Sequence, residues 1–302
     1  MAELSIGIFL QQRDIRNTVL LLRQISSMYP QIHLCVFYSG PKPFHFQELT
    51  DAIKFCGADS TIAEDSKTIG VAVNSLMQRL NSEWVYICDG DILFTEEFLK
   101  NLESCVPKQV SCGVIQGNAL PQLGASVWAR FDCLNDMIAC LSDRTKPTAW
   151  FSQQDFIIPE EMNLTTLHGG VMLINKNVFM AVGGMEEDSL LVQRALAAKL
   201  RKQAYVIKFN KSIEFYHIYP NTLRGVLKRK VFHAWGSALN RVRHPELYSD
   251  SFRIRLKMFV SAFRPPRPFW SFFGRVYFFL TMALFTTMLS YYLFRFRLRS
   301  VN

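Results

Sequence analysis

The chain has 302 residues, 49% of them apolar, and a formal net charge of +9; it is long enough to bury a large core and too hydrophobic to be a disordered chain. Its seven cysteines are odd in number, lie in the first half and form no Cys-x-x-Cys pair, which argues against a zinc site or disulfide framework and for a reducing compartment. Charge is uneven: residues 1–223 hold 19 Lys and Arg against 23 Asp and Glu, whereas residues 224–275 hold 12 against two, so the basic excess belongs to the C-terminal quarter.

The N-terminus carries Glu3 and an apolar run only from Leu4 to Leu10, which is no secretory signal and reads as a first strand. Arg16–Met28 follows as a helix with Val19, Leu20, Leu22 and Ile25 on its buried side, and Pro30 ends it. Ile32–Tyr38 is a second strand closed by Ser39-Gly40-Pro41, and Leu49–Phe55 a second helix. Ser60–Ala63 is a short strand and Val71–Leu80 a helix leading into Trp84–Cys88. Four alternations of strand and helix predict parallel strands with right-handed crossovers in a doubly wound α/β sheet.

The Trp84 run ends in Asp89-Gly90-Asp91, at the strand's carboxyl end, where such sheets keep their ligand crevice. Residues two apart on extended chain face the same way, so the two carboxylates can aim at one cation, and Gly90 admits a close backbone approach. Mg²⁺ is usually shared between one or two carboxylates and a substrate's phosphates, giving a metal-diphosphate site. The competing reading is a β-hairpin turned at Asp-Gly, with only Ile92-Leu93-Phe94 available before Thr95-Glu96-Glu97 opens a helix.

Further strands are expected at Cys112–Gly117, Gly169–Ile174 and Ser212–Ile218, with helices near Val127–Leu141, at Asn177–Val182 and through Leu191–Leu200. The loop holding Trp150, Phe151 and Pro159 reads as a substrate-binding element or a packing cover. Met185-Glu186-Glu187-Asp188 precedes a helix, where acids suit the dipole whatever their chemistry. His217 shares a strand face with Ile213 and Phe215, as a core residue or a metal ligand.

In sequence order, Asp89-Gly90-Asp91, Gly169-Gly170-Val171-Met172-Leu173-Ile174, Val182-Gly183-Gly184, Glu187-Asp188-x-x-Leu191-x-x-Arg194 and Tyr216-His217 resemble family 2 of the inverting glycosyltransferases over roughly residues 4–245. The resemblance implies a GT-A-type doubly wound mixed sheet, with a Rossmann-like nucleotide-binding half and an acceptor half. It further implies that Asp89, Asp91 and His217 hold Mg²⁺ or Mn²⁺ against the donor diphosphate, as a DxD motif. Asn74, Gly169 and Gly170 fall at donor- and acceptor-contacting positions. Asp188, or Glu187 beside it, becomes the general base for the acceptor hydroxyl. Arg224 and Lys228-Arg229-Lys230 are either diphosphate contacts or a solvated helix face. The first strand ends in Phe9-Leu10-Gln11-Gln12 and the second in Phe37-Tyr38-Ser39-Gly40, unlike relatives that place a base-reading acid there. The base therefore stays open, UDP-sugars being the commonest donors of the family.

Val276–Phe294 is nineteen residues without a formal charge, about 28 Å as a helix and close to a bilayer's hydrocarbon thickness. It reads as a single membrane span or as an in-plane anchor, flanked by aromatics and by Arg295, Arg297 and Arg299. The basic block before it then has anionic membrane lipids as its partner rather than nucleic acid. Expected organisation is a catalytic domain over 1–223, a basic juxtamembrane helical segment over 224–269 and an anchor over 270–302, membrane-associated with the catalytic domain in the cytoplasm. The expected activity is sugar transfer from a nucleotide-diphosphate sugar to a hydroxyl of a lipid-linked or cell-envelope glycan, as in polysaccharide biosynthesis. The rivals are a polyprenyl-phosphate sugar synthase, a nucleotidyltransferase and a non-catalytic nucleotide-sugar-binding protein.

Overall fold

The computed structural model describes residues 4–106, 112–141, 161–164, 167, 169–188, 192–245 and 270–299; the expected loop with Trp150, Phe151 and Pro159 lies outside them. Contacts divide the chain into two units. The first comprises Met1–Gln122, Glu160–Asp188 and Val192–Ile218, and the second Leu123–Pro159, Ser189–Leu191 and Tyr219–Asn302.

The first unit is built on one mixed sheet. Its strands are β1 (Leu4–Gln11), β2 (His33–Ser39), β3 (Asp59–Ala63), β4 (Trp84–Asp89), β5 (Ile92–Phe94), β6 (Cys112–Pro121), β7 (Glu161–Asn163), β8 (Val171–Asn175) and β9 (Val206–His217). They run in the order β3-β2-β1-β4-β8-β6-β9-β5, with β7 also paired to β9. The first four neighbours are parallel, as strand-helix alternation requires. Beyond β4 the sheet turns mixed: β8 is antiparallel to both β4 and β6, while β6 and β9 are parallel. Near-continuous burial of β1, β2, β4 and β8 reflects a sheet covered on both faces.

The helices of this unit are α1 (Ile15–Met28), α2 (Phe46–Phe55), α3 (Ile69–Arg79), α4 (Glu96–Lys100), with α6 (Lys176–Ala181) and α7 (Val192–Lys202) after the fifth helix below. Ile15, Thr18, Val19, Leu22 and Ile25 put the buried stripe of α1 on the sheet. Thr68 and Thr95 cap α3 and α4 by accepting the N–H of Val71 and Phe98. The hairpin reading of Asp89-Gly90-Asp91 does not hold: β4 lies between β1 and β8, and β5 pairs with β9 instead.

The second unit contains α5 (Val127–Leu141), α8 (Leu223–Arg243) and a C-terminal helix (Trp270–Arg299). Thr222 caps α8 through the Gly225 N–H. Ala234 and Ala238 of α8 pack against Phe285 and Leu289 of the C-terminal helix, small residues admitting bulky ones. Among the described residues, Cys35, Cys56, Cys88, Cys105 and Cys112 are free thiols.

Candidate functional site

The crevice at the carboxyl end of β4 is assembled from four strands, β4, β5, β8 and β9. Asp89 is the last residue of β4, and its Oδ2 accepts the Gly170 N–H at 2.9 Å while its own N–H donates to the Gly170 carbonyl at 2.9 Å. The entry to β8 thus orients this carboxylate. Gly170 has φ +105°, and a Cβ there would stand 2.6 Å from the Phe215 ring; no other residue fits both the conformation and the space. A Cβ on Gly90 would stand 2.5 Å from the Leu10 Cβ and 2.7 Å from Thr18 Oγ1, so the chain turns between the two acids only as glycine.

Asp91 opens the short β5, whose pairing with β9 sets Ile92 opposite His217. The Ile218 N–H donates to the Asp91 carbonyl at 3.1 Å, and His217 Nε2 lies 3.6 Å from Asp91 Oδ1. That carboxylate oxygen is buried and makes no hydrogen bond among the described residues, a costly state for an anion without a cation. One ligand atom from each of Asp89, Asp91 and His217 lies within 4.8 Å of the others, all three side chains being half-buried. Two carboxylates and an imidazole form a donor set suited to Mg²⁺ or Mn²⁺. Behind them, burial and then the Asp89 charge push the Cys88 thiol well up, so the thiol stays neutral and outside the chemistry.

A second cluster surrounds the turn after Gly184. Asn74 on α3 donates from Nδ2 to the Met185 carbonyl and to Glu187 Oε1, each at 3.0 Å, and accepts the Met185 N–H at 2.9 Å. Thr68 Oγ1 donates to the Glu187 carbonyl, and Glu186 pairs with Lys199 at 2.7 Å. The Glu186 and Glu187 carboxylates are therefore held by Lys199 and Asn74, and both Glu187 and Asp188 are exposed. Asn74 is a pin for this turn in addition to any contact with a donor. The first turn of α7 adds a residue that the sequence did not single out: a Cβ on Gly169 would lie 3.1 Å from Asp89 Oδ2 and 3.4 Å from Gln193 Nε2. Nothing in the pattern separates Gln193 from any other polar residue of a helix.

In the second unit, Arg229 and Lys230 are neither a solvated face nor open cations, which corrects the expectation for both. Arg229 bonds Asp132 Oδ2 at 2.6 Å and Asp136 Oδ2 at 2.7 Å, and Lys230 reaches Asp132 Oδ1 at 2.6 Å. Burial opposes the Arg229 charge, but Asp136 and Asp132 outweigh it and raise its pKa. Arg224 and Lys228 are exposed.

Solved structures share this architecture. A mannosyltransferase, PcManGT from Pyrobaculum calidifontis in complex with GDP-Man and Mn²⁺, superposes with a TM-score of 0.54 at 11% identity, over 92% of this chain and 74% of that one. GalNAc-T7 with UDP, GalNAc and Mn²⁺ does so at 0.51 and 11% identity, over 83% of this chain and 54% of that one. The chain has the GT-A fold. No family model matches the sequence, and no curated protein matches it either, so the likeness lies in the backbone path of the GT-A fold and not in sequence identity.

Proposed function

We propose that the chain is a metal-dependent, inverting glycosyltransferase that moves a sugar from a nucleoside-diphosphate sugar to a hydroxyl of a glycan or lipid-linked acceptor. The observation that carries the reading is the meeting of Asp89, Asp91 and His217 within 4.8 Å at the β4 rim of a GT-A sheet, with a buried Asp91 oxygen that accepts no hydrogen bond among the described residues. A Mg²⁺ or Mn²⁺ ion held by these three would neutralise charge developing on the leaving diphosphate. Support for that ion and a nucleotide ligand comes from the two similar structures, solved with Mn²⁺ and GDP-Man or UDP. UDP and GDP are thus the donor nucleotides to try first.

This chain's own groups supply the remainder. Gly169 leaves no side chain beside Asp89 Oδ2, so a bulky sugar can approach the carboxylate, while Gly170 packs on Phe215 and holds Asp89 through its backbone. Asp188, exposed and next to the pinned Glu187, takes the proton from the attacking hydroxyl; one displacement of this kind inverts the anomeric centre. Glu187, beside it in the same turn, is the alternative base. The C-terminal helix, long and apolar enough to cross a membrane, serves as the anchor that brings a lipid-linked acceptor within reach, the catalytic unit facing the cytoplasm.

Calorimetric titration of UDP-sugars and GDP-sugars with and without Mn²⁺, paired with transfer assays, tests the reading. Asp91→Asn is expected to lower Mn²⁺-dependent donor affinity by roughly two orders of magnitude, as loss of one buried charge-assisted contact implies. Asp188→Asn is expected to bind donor normally and lose transfer. Donor binding that is unchanged in Asp91→Asn removes the metal role, and undiminished transfer by Asp188→Asn moves the base elsewhere.

A further inference from the structure

An open groove of about 730 Å³ runs along α8 in the second unit, between that helix and Leu284 and Tyr292 of the C-terminal helix. Its volume lies in the range of pockets that hold elongated small molecules. The walls are aliphatic and aromatic apart from Arg224 and Lys228. Phe232 and Trp235 line it while remaining 50% and 36% exposed, their rings 5.8 Å apart. Large aromatics in water at a groove edge mark a binding surface rather than a core.

The two cations stand one helical turn apart at one end of the groove, and neither has an ion-pair or hydrogen-bond partner among the described residues. Their neighbours Arg229 and Lys230 are fully engaged by Asp132 and Asp136. Among the described residues, counter-charge thus meets the inner cations of α8 and none is bonded to the outer two. From Lys228 to Trp235 the helix rises about 10 Å, so the groove is cationic at its head and apolar along its length.

We propose that this groove seats one anionic phospholipid of a bilayer leaflet, its phosphate on Arg224 and Lys228 and an acyl chain along Val231, Phe232 and Trp235. The inference goes beyond the transferase reading and does not depend on Asp89 or Asp91. Free phosphate would leave the apolar wall wet, and a zwitterionic lipid, whose phosphate is balanced by its own cationic headgroup, would leave the charge of the two cations uncompensated. A second copy packed through the same two helices offers no complement, because neither α8 nor the C-terminal helix carries an Asp or Glu to meet the cations.

The test uses the full chain in phosphatidylcholine vesicles with or without phosphatidylglycerol, each lipid in turn carrying brominated acyl chains that quench tryptophan on contact. Subtracting the signal of Trp235→Phe isolates Trp235 from the other tryptophans. Trp235 quenching is expected to half-saturate at roughly tenfold lower brominated phosphatidylglycerol than brominated phosphatidylcholine, since each basic side chain at a membrane surface contributes on this scale. Arg224→Gln with Lys228→Gln should equalise the two lipids with an unaltered circular dichroism spectrum, both side chains being exposed and without a bond among the described residues. Equal quenching in the native chain overturns the proposal, as does a preference that survives the double substitution. Displacement by inorganic phosphate, or a Trp235 shielded from both lipids in a concentration-dependent dimer, overturns it as well, in favour of a simple anion site or a second copy.

Discussion

Gly170 shows how a single missing side chain holds the site. Its φ of +105° and the 2.6 Å gap to the Phe215 ring leave no conformation in which a methyl is accommodated without strain. Gly170→Ala is expected to destabilise the chain by about 3 kcal/mol, the sum of a backbone forced into a glycine region and an overpacked ring. Because the same residue both donates to Asp89 Oδ2 and accepts from the Asp89 N–H, the substitution should also weaken Mn²⁺-dependent nucleotide binding. Urea unfolding followed by fluorescence reads the first effect and calorimetry the second. A variant with native midpoint would mean that Phe215 swings aside, and the rigidity ascribed to this corner would be gone. Asp89, Gly90 and Asp91 were legible in the sequence because the chemistry sits in consecutive residues on one strand end. The proximity of His217 followed there only from a resemblance, and its physical basis is the β5–β9 pairing, which joins residues more than a hundred positions apart.

Among the elements, the parallel half of the sheet could be read from alternation alone, since β1, β2 and β3 are each followed by a helix that leads to the next strand. The antiparallel half could not. β8 is buried along its whole length, and such a run carries no alternation to tell parallel from antiparallel pairing. Its insertion between β4 and β6 is a long-range choice made by the crevice-forming contact at Gly170. Helix α8 illustrates the same limit: Lys228, Arg229 and Lys230 are adjacent in sequence, yet two are buried on aspartates one turn apart on α5. Asp132 is fully buried and is shared by Arg229 and Lys230. Asp132→Ala is therefore expected to cost about 3–5 kcal/mol, most of it from leaving a buried cation underpaired. Chemical denaturation of the variant in detergent checks this, with Lys100→Ala on the exposed face of α4 as a surface control. A loss below about 1 kcal/mol would show that water solvates the cluster and that its geometry does not fix the helices of the second unit.

At the scale of the whole molecule the open choice is between a helix that spans a bilayer and one that lies in it. Length favours neither: the apolar window Phe279–Phe296 has 18 residues, about 27 Å of helix, near the lower limit for a span. Packing separates them. The faces of Phe285 and Leu289 are occupied by Ala234 and Ala238 of α8, so wherever the C-terminal helix goes, α8 goes with it. Between Lys230 and Arg241, α8 has ten residues without a formal charge, about 15 Å and half the hydrocarbon thickness. Stood upright beside a spanning partner, α8 would carry Arg241 and Arg243 to the middle of the bilayer, at several kcal/mol apiece. Laid in the plane of one leaflet, its cations reach the headgroups and its aromatics the acyl chains. We therefore predict an in-plane anchor, with both chain termini on the same side of the membrane. Sealed vesicles bearing the full chain with an epitope at each end read this directly: added protease should remove both epitopes or neither. Removal of the N-terminal epitope with full protection of the C-terminal one would establish a span, and would require α8 to part from Phe285 and Leu289 on insertion.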